Sequence, residues 1–463
     1  MLSVRVVESL DRLRATCPSL SLETDPAVRD AAGVDAMRPF RGRPEFAQLR
    51  ARPLAVAAPA STAEVVALVR WANETGTPLV PRGGGSGLMG GAAVLGRAVV
   101  VSFARLDAVA IDPDACAARA GAGASLARVD AAAARHGLMC AHDPWTVGVA
   151  TVGGALSTAG LGYRGAAAGG IAKQVLALEA VLGDGRIVRS RPVPARSAGL
   201  DPTALLVGTE GTAGLVTEAT LALVPLPEER VLHGVTLPSF AAVVSFAVAL
   251  RRTGVRYACL EGSADALPPA PASVMLAFEG LRGEARLHAA RAAALARAAG
   301  ATPLPDAEAE AWWTGRHAIA ERWAAQPRFR DGDWLPDGAR GHFDYAHVGV
   351  PVHALPAVRA RAHALVRERG VTLVEEGLWH WPELYSIVVR GGAEDGEGVR
   401  ATIDGVCRAA QDAGGTMEYC HGVGWKLAHL MEAEHGADGL AVIRRLEAAL
   451  DPARVLNPAK AGT

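Results

Sequence analysis

The alternation of apolar and polar positions predicts a mixed chain of helices and strands. In LAVAAPASTAEVVALVRWANETG, Ser61 and Glu64 have the spacing of a helix-capping box, and an apolar stripe follows them as far as Gly76. This segment is predicted to be a helix. A short strand at 79–80 then enters a glycine-rich loop, and a β-rich run, RAVVVSF, follows that loop with no amphipathic helix between them.

Short strands dominate the next hundred residues. Runs of β-forming residues predict strands at 107–112 and 116–123, and a helix is predicted at 125–137. The segment QVLALEAVLGDGRIVRS predicts a hairpin that turns on Gly183-Asp184-Gly185. These elements indicate a sheet-rich domain.

The pattern changes near residue 227. Long Ala/Arg-rich helical stretches alternate there with strand-like runs, at 283–300, 356–370 and 398–413 for helices and 273–278, 371–377 and 385–389 for strands. The tail is predicted to be helical as far as Asp451-Pro452 and extended beyond it. This second region is predicted to be an antiparallel or mixed sheet with helices on one side.

Composition favours a small-molecule partner. The net charge is -1 with scattered Lys and Arg, which gives no electrostatic footprint for nucleic acid or an anionic membrane. Six widely spaced cysteines without a CxxC pair, and no secretory leader at the start, predict reduced thiols in the cytoplasm. The uncharged run at 144–163 carries five glycines, so turns are predicted there and no integral membrane segment.

The loop PRGGGSGLMGGA formally contains the dinucleotide pattern GxGxxG. That pattern requires a helix opening at the loop, and a strand follows instead; the Walker pattern fails because no Lys-Ser/Thr pair closes the loop. What remains is a run of backbone N–H groups able to cradle a phosphate. A lone loop of this kind is more often a plain turn, but two further Gly/Ser/Thr tracts follow at 143–165 and 205–227.

Taken together, these tracts resemble the FAD-linked oxidases and dehydrogenases of the vanillyl-alcohol-oxidase type, in particular the D-lactate and glycolate dehydrogenase-like branch. The resemblance covers roughly residues 50–460. The matching motifs are PRGGGSG from Pro81, Asp143-Pro144 with TVGG from Thr151, VGTEGT with VTEA between Val207 and Ala219, and LNPAK from Leu456.

The resemblance implies an α+β fold, with a two-subdomain PCMH-type FAD-binding domain and a mixed α/β cap domain containing an antiparallel sheet. The implied division is an N-terminal lead-in at 1–50, the FAD domain at 51–227, the cap at 228–420 and a C-terminal segment returning to the FAD domain at 421–463. The lead-in is expected to be largely irregular.

The resemblance also implies which residues bind FAD. The first loop is expected to bind the pyrophosphate, the second tract to follow the flavin and ribityl chain, and the third to contact the adenosine side. The residues are Pro81, Arg82, Gly83, Gly84, Gly85, Ser86, Gly87, Asp143, Pro144, Thr151, Gly153, Gly154, Ser157, Thr158, Glu210, Gly211, Val216 and Asn457. Because Cys140 and His142 match no linkage pattern, FAD is expected to be non-covalent.

Three residues are candidates for the chemistry. Arg316 falls where the hydroxy-acid branch carries an arginine for the substrate carboxylate, and its alternative is a surface ion pair. His421, before Gly-Val-Gly, matches the family histidine that serves as base or oxyanion partner, and otherwise it is a turn residue. Tyr385 is a candidate proton donor or substrate ligand, or equally an aromatic residue of the cap core.

No catalytic metal is expected. Metal-dependent members of the branch carry a His-Xxx6-His pair and a Glu before the base, and here Leu378, Tyr385 and Cys420 stand at those positions. The tempting pair His347 and His353 is predicted to lie where a strand leads into a helix.

These departures lean toward the alkylglycerone-phosphate-synthase-like branch, although Tyr419 and Cys420 replace two of its three histidines. The leading hypothesis is an FAD-dependent oxidoreductase that transfers a hydride from a small hydroxylated substrate, such as a 2-hydroxy acid, to flavin N5. A non-redox flavin-dependent transferase and a structural FAD-binding subunit are the alternatives. The electron acceptor and the oligomeric state, a homodimer among the options, are not encoded visibly.

Overall fold

The computed structural model describes residues 4–38, 41, 45–265, 267–325, 329–330, 333–334, 342–392 and 395–460. Its helices are α1 Val4–Thr16, α2 Pro26–Ala32, α3 Glu45–Leu49, α4 Thr62–Thr75, α5 Leu126–Ala134, α6 Val152–Thr158, α7 Gly165–Ala168, α8 Ile171–Gln174, α9 Pro202–Leu206, α10 Phe240–Arg252, α11 Glu284–Ala298, α12 Asp306–Gly315, α13 Ala318–Ala325, α14 Leu355–Glu368, α15 Gly396–Asp412 and α16 Met431–Leu450.

Its strands are β1 Ser21–Glu23, β2 Val56–Ala58, β3 Leu79–Arg82, β4 Val99–Ser102, β5 Val109–Asp112, β6 Ala117–Gly121, β7 Leu138–Met139, β8 Val175–Val181, β9 Ile187–Arg189, β10 Leu215–Ala222, β11 Val224–Pro225, β12 Glu229–Leu237, β13 Cys259–Ala264, β14 Ala272–Gly280, β15 Thr302–Pro303, β16 Phe329–Arg330, β17 Asp333–Trp334, β18 Phe343–Gly349, β19 Thr372–Trp379 and β20 Leu384–Arg390.

A four-stranded sheet in the order β1-β2-β4-β3 forms the first layer of the N-terminal half. β2 and β3 run parallel to β4, whereas β1 is antiparallel to β2. The predicted helix after β2 is confirmed as α4: the Ser61 hydroxyl accepts from the Glu64 amide at 3.2 Å, and Gly76 ends the helix with φ of +62°. The glycine-rich loop begins where the strand β3 ends.

A five-stranded antiparallel sheet in the order β5-β6-β10-β8-β9 forms the second layer. The predicted hairpin is confirmed as β8–β9, with Gly185 at φ of +82° in its turn. Apolar residues of both sheets and of α4, α5 and α6 share one core. The two layers hold the three glycine tracts at their junction.

The lead-in carries regular structure where an irregular chain was expected. β1 pairs with β2 through Ser21 and Ala58, and Asp25 caps α2. Leu10 and Leu13 of α1 are buried in the core. A strand of three residues is too short to show a period-2 pattern, and its pairing with a strand 35 positions later is a tertiary event.

The second half is built on a seven-stranded antiparallel sheet in the order β15-β12-β14-β13-β19-β20-β18. Helices α10, α11, α14 and α15 pack against this sheet or against one another. They bury one face, which includes Leu260, Leu276 and Ile387. This confirms the predicted antiparallel sheet, but the expectation of helices on one side only is wrong, because α12 packs against β12 and β14 on the opposite face.

The opposite face of this sheet is partly exposed and polar. It carries Glu261 and Ser263 of β13, Ser386 of β20 and His347 of β18, which alternate along their strands with buried apolar residues. Side chains of successive strand residues point to opposite faces. The sheet therefore presents polar groups on the face opposite α10, α11, α14 and α15, the face against which α12 packs.

The chain ends by returning to the first sheet. α16 ends at Leu450, as predicted, and the extended segment after it forms a parallel bridge between Leu456 and Leu79 of β3. The amide of Asn457 donates to the Leu79 carbonyl at 2.8 Å. No helix in the described part of the chain is long and apolar enough to cross a membrane. The uncharged run at 144–163 forms turns, as predicted, and also the short helix α6, which was not predicted.

Candidate active site

The first glycine loop is shaped by close packing against the second tract. A Cβ atom added to Gly84 would lie 1.9 Å from the carbonyl oxygen of Val149, and one added to Gly83 would lie 2.3 Å from the Thr151 hydroxyl. Only glycine fits at these two positions. The backbone N–H groups of residues 84–88 donate to no acceptor within the described residues. They form a row of free donors that suits a phosphate.

Other residues of the first loop contact the lead-in and the third tract. The Gly87 carbonyl accepts from the Ala36 amide at 2.8 Å, and the Arg82 guanidinium donates to the Val34 carbonyl. Pro81 packs against Gly211 of the third tract: a Cβ atom added to Gly211 would lie 2.5 Å from the proline ring. The loop is thus fixed between the lead-in and the other two tracts.

The second tract forms a short capped helix. The Thr151 hydroxyl caps α6 by accepting from the Gly154 amide at 3.3 Å, and Gly153 packs so closely on Ala122 that a Cβ atom would lie 2.8 Å away. Ser157 donates its hydroxyl to the Gly153 carbonyl at 2.7 Å, and Thr158 donates to the Gly154 carbonyl at 3.3 Å. The structure places these residues beside the first loop.

The third tract meets the first two through Glu210. Its amide donates to the Ser157 carbonyl at 2.9 Å, and its buried carboxylate accepts from the Gly424 amide at 2.7 Å. Asn457 donates its side-chain amide to the Gly91 and Glu210 carbonyls. Burial raises the pKa of Glu210 to about 7. Val216 lies further along, buried in β10.

The predicted cofactor residues therefore lie together, with the exception of Val216 in its strand and of Asp143-Pro144 at the other end of the second tract. A row of free amides and positions where no side chain fits allow close approach of a polar chain carrying phosphates. The fit of these residues to FAD rests on that geometry.

The loop 418–424, which we call the His421 loop, lies directly against the contact between the second and third glycine tracts. A Cβ atom on Gly422 would lie 2.3 Å from the Glu210 carboxylate and 3.4 Å from Thr158. The Glu418 carboxylate accepts from the amides of Tyr419, Cys420 and His421 at 2.8 to 3.0 Å. A single buried carboxylate therefore fixes the backbone of the loop.

His421 is partly exposed, with 24% of its side chain accessible. Its Nδ1 lies 3.4 Å from the Glu418 carboxylate, and its ring contacts those of Tyr345 and His347, with centroids 5.3 and 4.8 Å apart. Burial opposes the ionisation of Glu418, but His421, His347 and the loop amides outweigh it and hold its pKa at about 2. Glu418 is thus a permanent anion beside His421.

His347 was missed as a site residue by sequence reasoning. Its segment is confirmed as the strand β18 leading to α14, yet its ring contacts His421, and its Nδ1 lies 3.0 Å from the Tyr419 hydroxyl. Burial lowers the pKa of His347 to about 3. The signal was the alternation of Phe343, Tyr345 and His347 with the buried Asp344, Ala346 and Val348, which places all three on the same face of the sheet as Ser386 and Glu261.

Arg316 lies at the C-terminal end of α12 and is held by protein groups. Its Nε and Nη2 donate to the Asp143 carboxylate at 3.2 and 3.1 Å, and its Nη1 donates to the Trp313 carbonyl at 2.6 Å. Asp143 also accepts from Arg164 at 2.6 Å and contacts His317 at 2.9 Å. Burial opposes the ionisation of Asp143, but the His317 hydrogen bond and the two guanidinium charges lower its pKa.

Tyr385 lies in the seven-stranded sheet, which we call the cap sheet, on the face that packs against α10. It is fully buried, its hydroxyl donates to the Glu376 carboxylate at 3.3 Å, and its ring contacts Phe240. Its strand neighbour Ser386 points to the opposite face, the one that carries His347. The structure thus brings His421 to the cofactor tracts and leaves Tyr385 on the far side of the sheet.

The possibilities for a metal centre are few. Leu378 and Tyr385 are cross-strand partners and both are buried. Within the described residues, Glu418, Cys420 and His421 form a group whose ligand atoms lie within 4.8 Å of one another. One Glu418 oxygen already accepts three amides, and burial raises the pKa of the Cys420 thiol well above its usual range.

Comparison with known proteins agrees with this geometry. The model of an FAD binding domain matches residues 53–191, and that of the FAD linked oxidase C-terminal domain matches residues 226–461. A D-lactate dehydrogenase of Archaeoglobus fulgidus is 36% identical over 47% of this chain and 49% of its own length. A D-2-hydroxyglutarate dehydrogenase of Xanthomonas citri pv. viticola is 28% identical over 97% of this chain and 95% of its own.

Solved structures show the same fold. Alkyldihydroxyacetonephosphate synthase superimposes with a TM-score of 0.77 at 19% identity, covering 99% of this chain and 86% of that one. p-Cresol methylhydroxylase with substrate bound gives 0.78 at 15% identity, covering 100% and 98%. The α+β fold expected from the sequence, of the PCMH type, is confirmed. The chain therefore belongs to the FAD linked oxidases and is an FAD-dependent oxidoreductase.

Proposed function

We propose that this enzyme oxidises the CH–OH group of a small 2-hydroxy acid. The observation that carries the proposal is the contact between the His421 loop and the cofactor tracts, made by Gly424 with Glu210 and by Gly422 with Thr158. It places a partly exposed imidazole where the cap sheet faces the FAD domain. Relatives named D-lactate dehydrogenase, D-2-hydroxyglutarate dehydrogenase and glycolate oxidase support a hydroxy-acid substrate.

In this mechanism His421 takes the proton of the substrate hydroxyl. Its Nδ1 lies 3.4 Å from the Glu418 carboxylate, and the Cys420 Sγ lies 3.3 Å from Nδ1 and 3.6 Å from Nε2. Nε2, the nitrogen on the side away from Glu418, is proposed to face the substrate. The rings of Tyr345 and His347 restrict the orientation of the imidazole. FAD, when bound, supplies the acceptor for the hydride that leaves the substrate carbon.

Arg316 is proposed to orient the substrate through its contact with Asp143. Its three nitrogen atoms each donate once, to Asp143 or to Trp313, which leaves a second N–H on Nη1 and on Nη2 for a substrate carboxylate. The contacts of Tyr385 support a role in the cap core, where its hydroxyl joins the cluster of Glu376, Arg359 and His363.

We further propose that FAD is bound without a covalent link and that the protein is cytoplasmic. Cys140 and His142 are buried, and burial raises the pKa of the Cys140 thiol to about 12, which suppresses the nucleophilic thiolate. None of the six cysteines forms a disulfide, which suits a reducing compartment. Release of intact FAD by acid precipitation tests the first proposal.

The function is tested by anaerobic titration of the yellow holoenzyme with D-lactate, glycolate, D-malate and simple alcohols, while the flavin absorption near 450 nm is followed. Bleaching by a 2-hydroxy acid and not by an alcohol of the same size supports the proposal. If no member of the panel bleaches the flavin, the hydroxy-acid oxidation is rejected, and the transferase chemistry suggested by the synthase fold becomes the alternative.

A further inference from the structure

The face of the seven-stranded sheet against which α12 packs carries two carboxylates, those of Glu261 and Glu375. Glu261 of β13 lies across from Trp379 of β19, and the Glu375 carboxylate on β19 accepts from the Ser263 hydroxyl at 3.0 Å. Glu261 and Ser263 alternate with the buried Leu260 and Gly262, so both point away from the covering helices. We refer to Glu261 and Glu375 as the acidic pair.

Glu261 stands between the two elements that carry the candidate chemistry. On one side it accepts from the Trp312 indole at 2.7 Å, and Trp312 belongs to α12, the helix that ends at Arg316. On the other side, its charge is among those that add to burial in raising the pKa of Tyr419 well above the usual range. Tyr419 belongs to the His421 loop, and its hydroxyl contacts His347 of β18. Glu261 therefore lies between α12, the helix that ends at Arg316, and Tyr419 of the loop that carries His421.

The acidic pair has no cation to balance it among the described side chains, since neither glutamate forms an ion pair with Lys, Arg or His there. The Glu261 carboxylate is bound instead by the neutral indoles of Trp312 and Trp379, and Glu375 by a neutral hydroxyl. Burial, with the charge of Glu375 added to it, raises the pKa of Glu261 to about 7. A second substrate carboxylate placed here would meet like charge in a poorly solvated space.

We propose that Glu261 determines substrate specificity by rejecting 2-hydroxy acids that carry a second carboxylate and accepting those with a neutral, hydrogen-bonding or apolar tail. The inference rests on the proposed function and narrows its substrate class to monocarboxylic hydroxy acids. Like-charge repulsion against the wrong ligand is a common source of specificity. On this proposal, the substrates of this chain differ in charge from the dicarboxylic acid for which one relative is named.

The test uses pairs of molecules that differ only in charge. D-malate and the amide of its distal carboxyl serve as substrates, and succinate and succinamate serve as non-reacting probes whose Kd is read from the flavin absorption of the holoenzyme. Wild type is expected to favour each amide by about tenfold or more, and Glu261→Gln to reduce that preference to within about twofold. Glu310→Gln, an exposed change on α12, is the control and leaves the preference unchanged.

The preference should also depend on pH in wild type. It increases between about pH 6 and pH 8 as Glu261 ionises, and Glu261→Gln flattens the profile. The groups that face Glu261 are Glu375, Tyr163, Tyr419 and Cys259; burial raises the pKa of each, which keeps the two tyrosines and the cysteine protonated in this range. A purely structural role of Glu261 would change stability without changing the amide preference.

The outcomes distinguish a failure of the specificity role of Glu261 from a failure of the proposed hydroxy-acid oxidation. If wild type binds succinate as tightly as succinamate, or if Glu261→Gln keeps the wild-type preference, the specificity role is overturned while hydroxy-acid oxidation stands. If neither probe perturbs the flavin and no hydroxy acid reduces it, the proposed function fails, and the specificity role fails with it.

Discussion

The carboxylate of Glu210 accepts a hydrogen bond from the amide of Gly424, 214 residues later in the chain, at 2.7 Å. This contact joins the third cofactor tract to the loop that carries His421. Glu210 itself is held in a left-handed conformation, with φ of +52°, between Thr209 and Gly211. The proposed base is thus positioned by a residue of the proposed cofactor site.

The raised pKa of Glu210 makes the stability of the protein depend on pH. Since burial raises it from 4.5 to about 7, the folded chain holds a proton between these values that the unfolded chain has lost. This contribution to stability therefore falls as pH rises through that window. Glu210→Gln keeps an acceptor for Gly424 and removes the ionisation.

We expect the Tm of Glu210→Gln relative to wild type to rise from about pH 5 to about pH 7.5. Thermal unfolding at matched ionic strength measures the difference. Glu218→Gln, which changes an exposed ion pair with Arg119, is the control and should show no such slope. A difference that is flat with pH would contradict the assignment.

Replacing Gly84 by alanine should abolish FAD binding. The added Cβ would lie 1.9 Å from the Val149 carbonyl, and backbone has to move at the loop that offers its amides to the cofactor. The ratio of flavin to protein after gel filtration measures the effect. Gly148→Ala, in the adjoining tract where a Cβ meets nothing within 4 Å, should retain FAD. Equal flavin content in the two variants would argue against a phosphate cradle here.

Removing the imidazole of His421 should slow flavin reduction by about 10² to 10⁴-fold without loss of FAD. His421→Asn is followed by anaerobic stopped-flow with whichever hydroxy acid bleaches the wild-type enzyme. His435→Asn, at an exposed position of α16, serves as the control. Flavin reduction at the wild-type rate in His421→Asn would remove the residue from the mechanism.

Asp143 should be a main support of the contact between the cap and the FAD domain. Asp143→Asn leaves Arg164 and Arg316 short of a buried counter-charge, and a loss of about 3 to 5 kcal/mol in the free energy of unfolding is expected. Urea denaturation measures it. Asp184→Asn, which affects an exposed pair with Arg186, should cost less than about 1 kcal/mol.

The effect of Asp143→Asn should also disappear in acid. Because the pKa of Asp143 is lowered from its ordinary 3.8, its contribution is complete above that value and is lost as pH falls through the folded-state pKa. A difference between variant and wild type that persists unchanged at the lowest pH of stable folding would show that charge is not its cause.

Much of the architecture was determined by local sequence. The capping box at Ser61, the turn at Gly185 and the end of α16 before Pro452 depend on short-range backbone chemistry, which neighbouring residues encode directly. The role of the glycines in the first loop was equally predictable from the sequence, because a backbone that must approach another chain segment closely excludes side chains. Order and spacing of the three tracts then identified the cofactor.

The tertiary structure decided which charged groups meet. Arg316 is adjacent to Asp143 although 173 residues separate them, and His347 contacts His421 only because β18 lies at the edge of the sheet beside the His421 loop. The balance of charge around Glu261 likewise depends on strand order. Sequence fixes the identity and periodicity of side chains, but partners across a sheet are chosen by register and packing, which are properties of the whole fold.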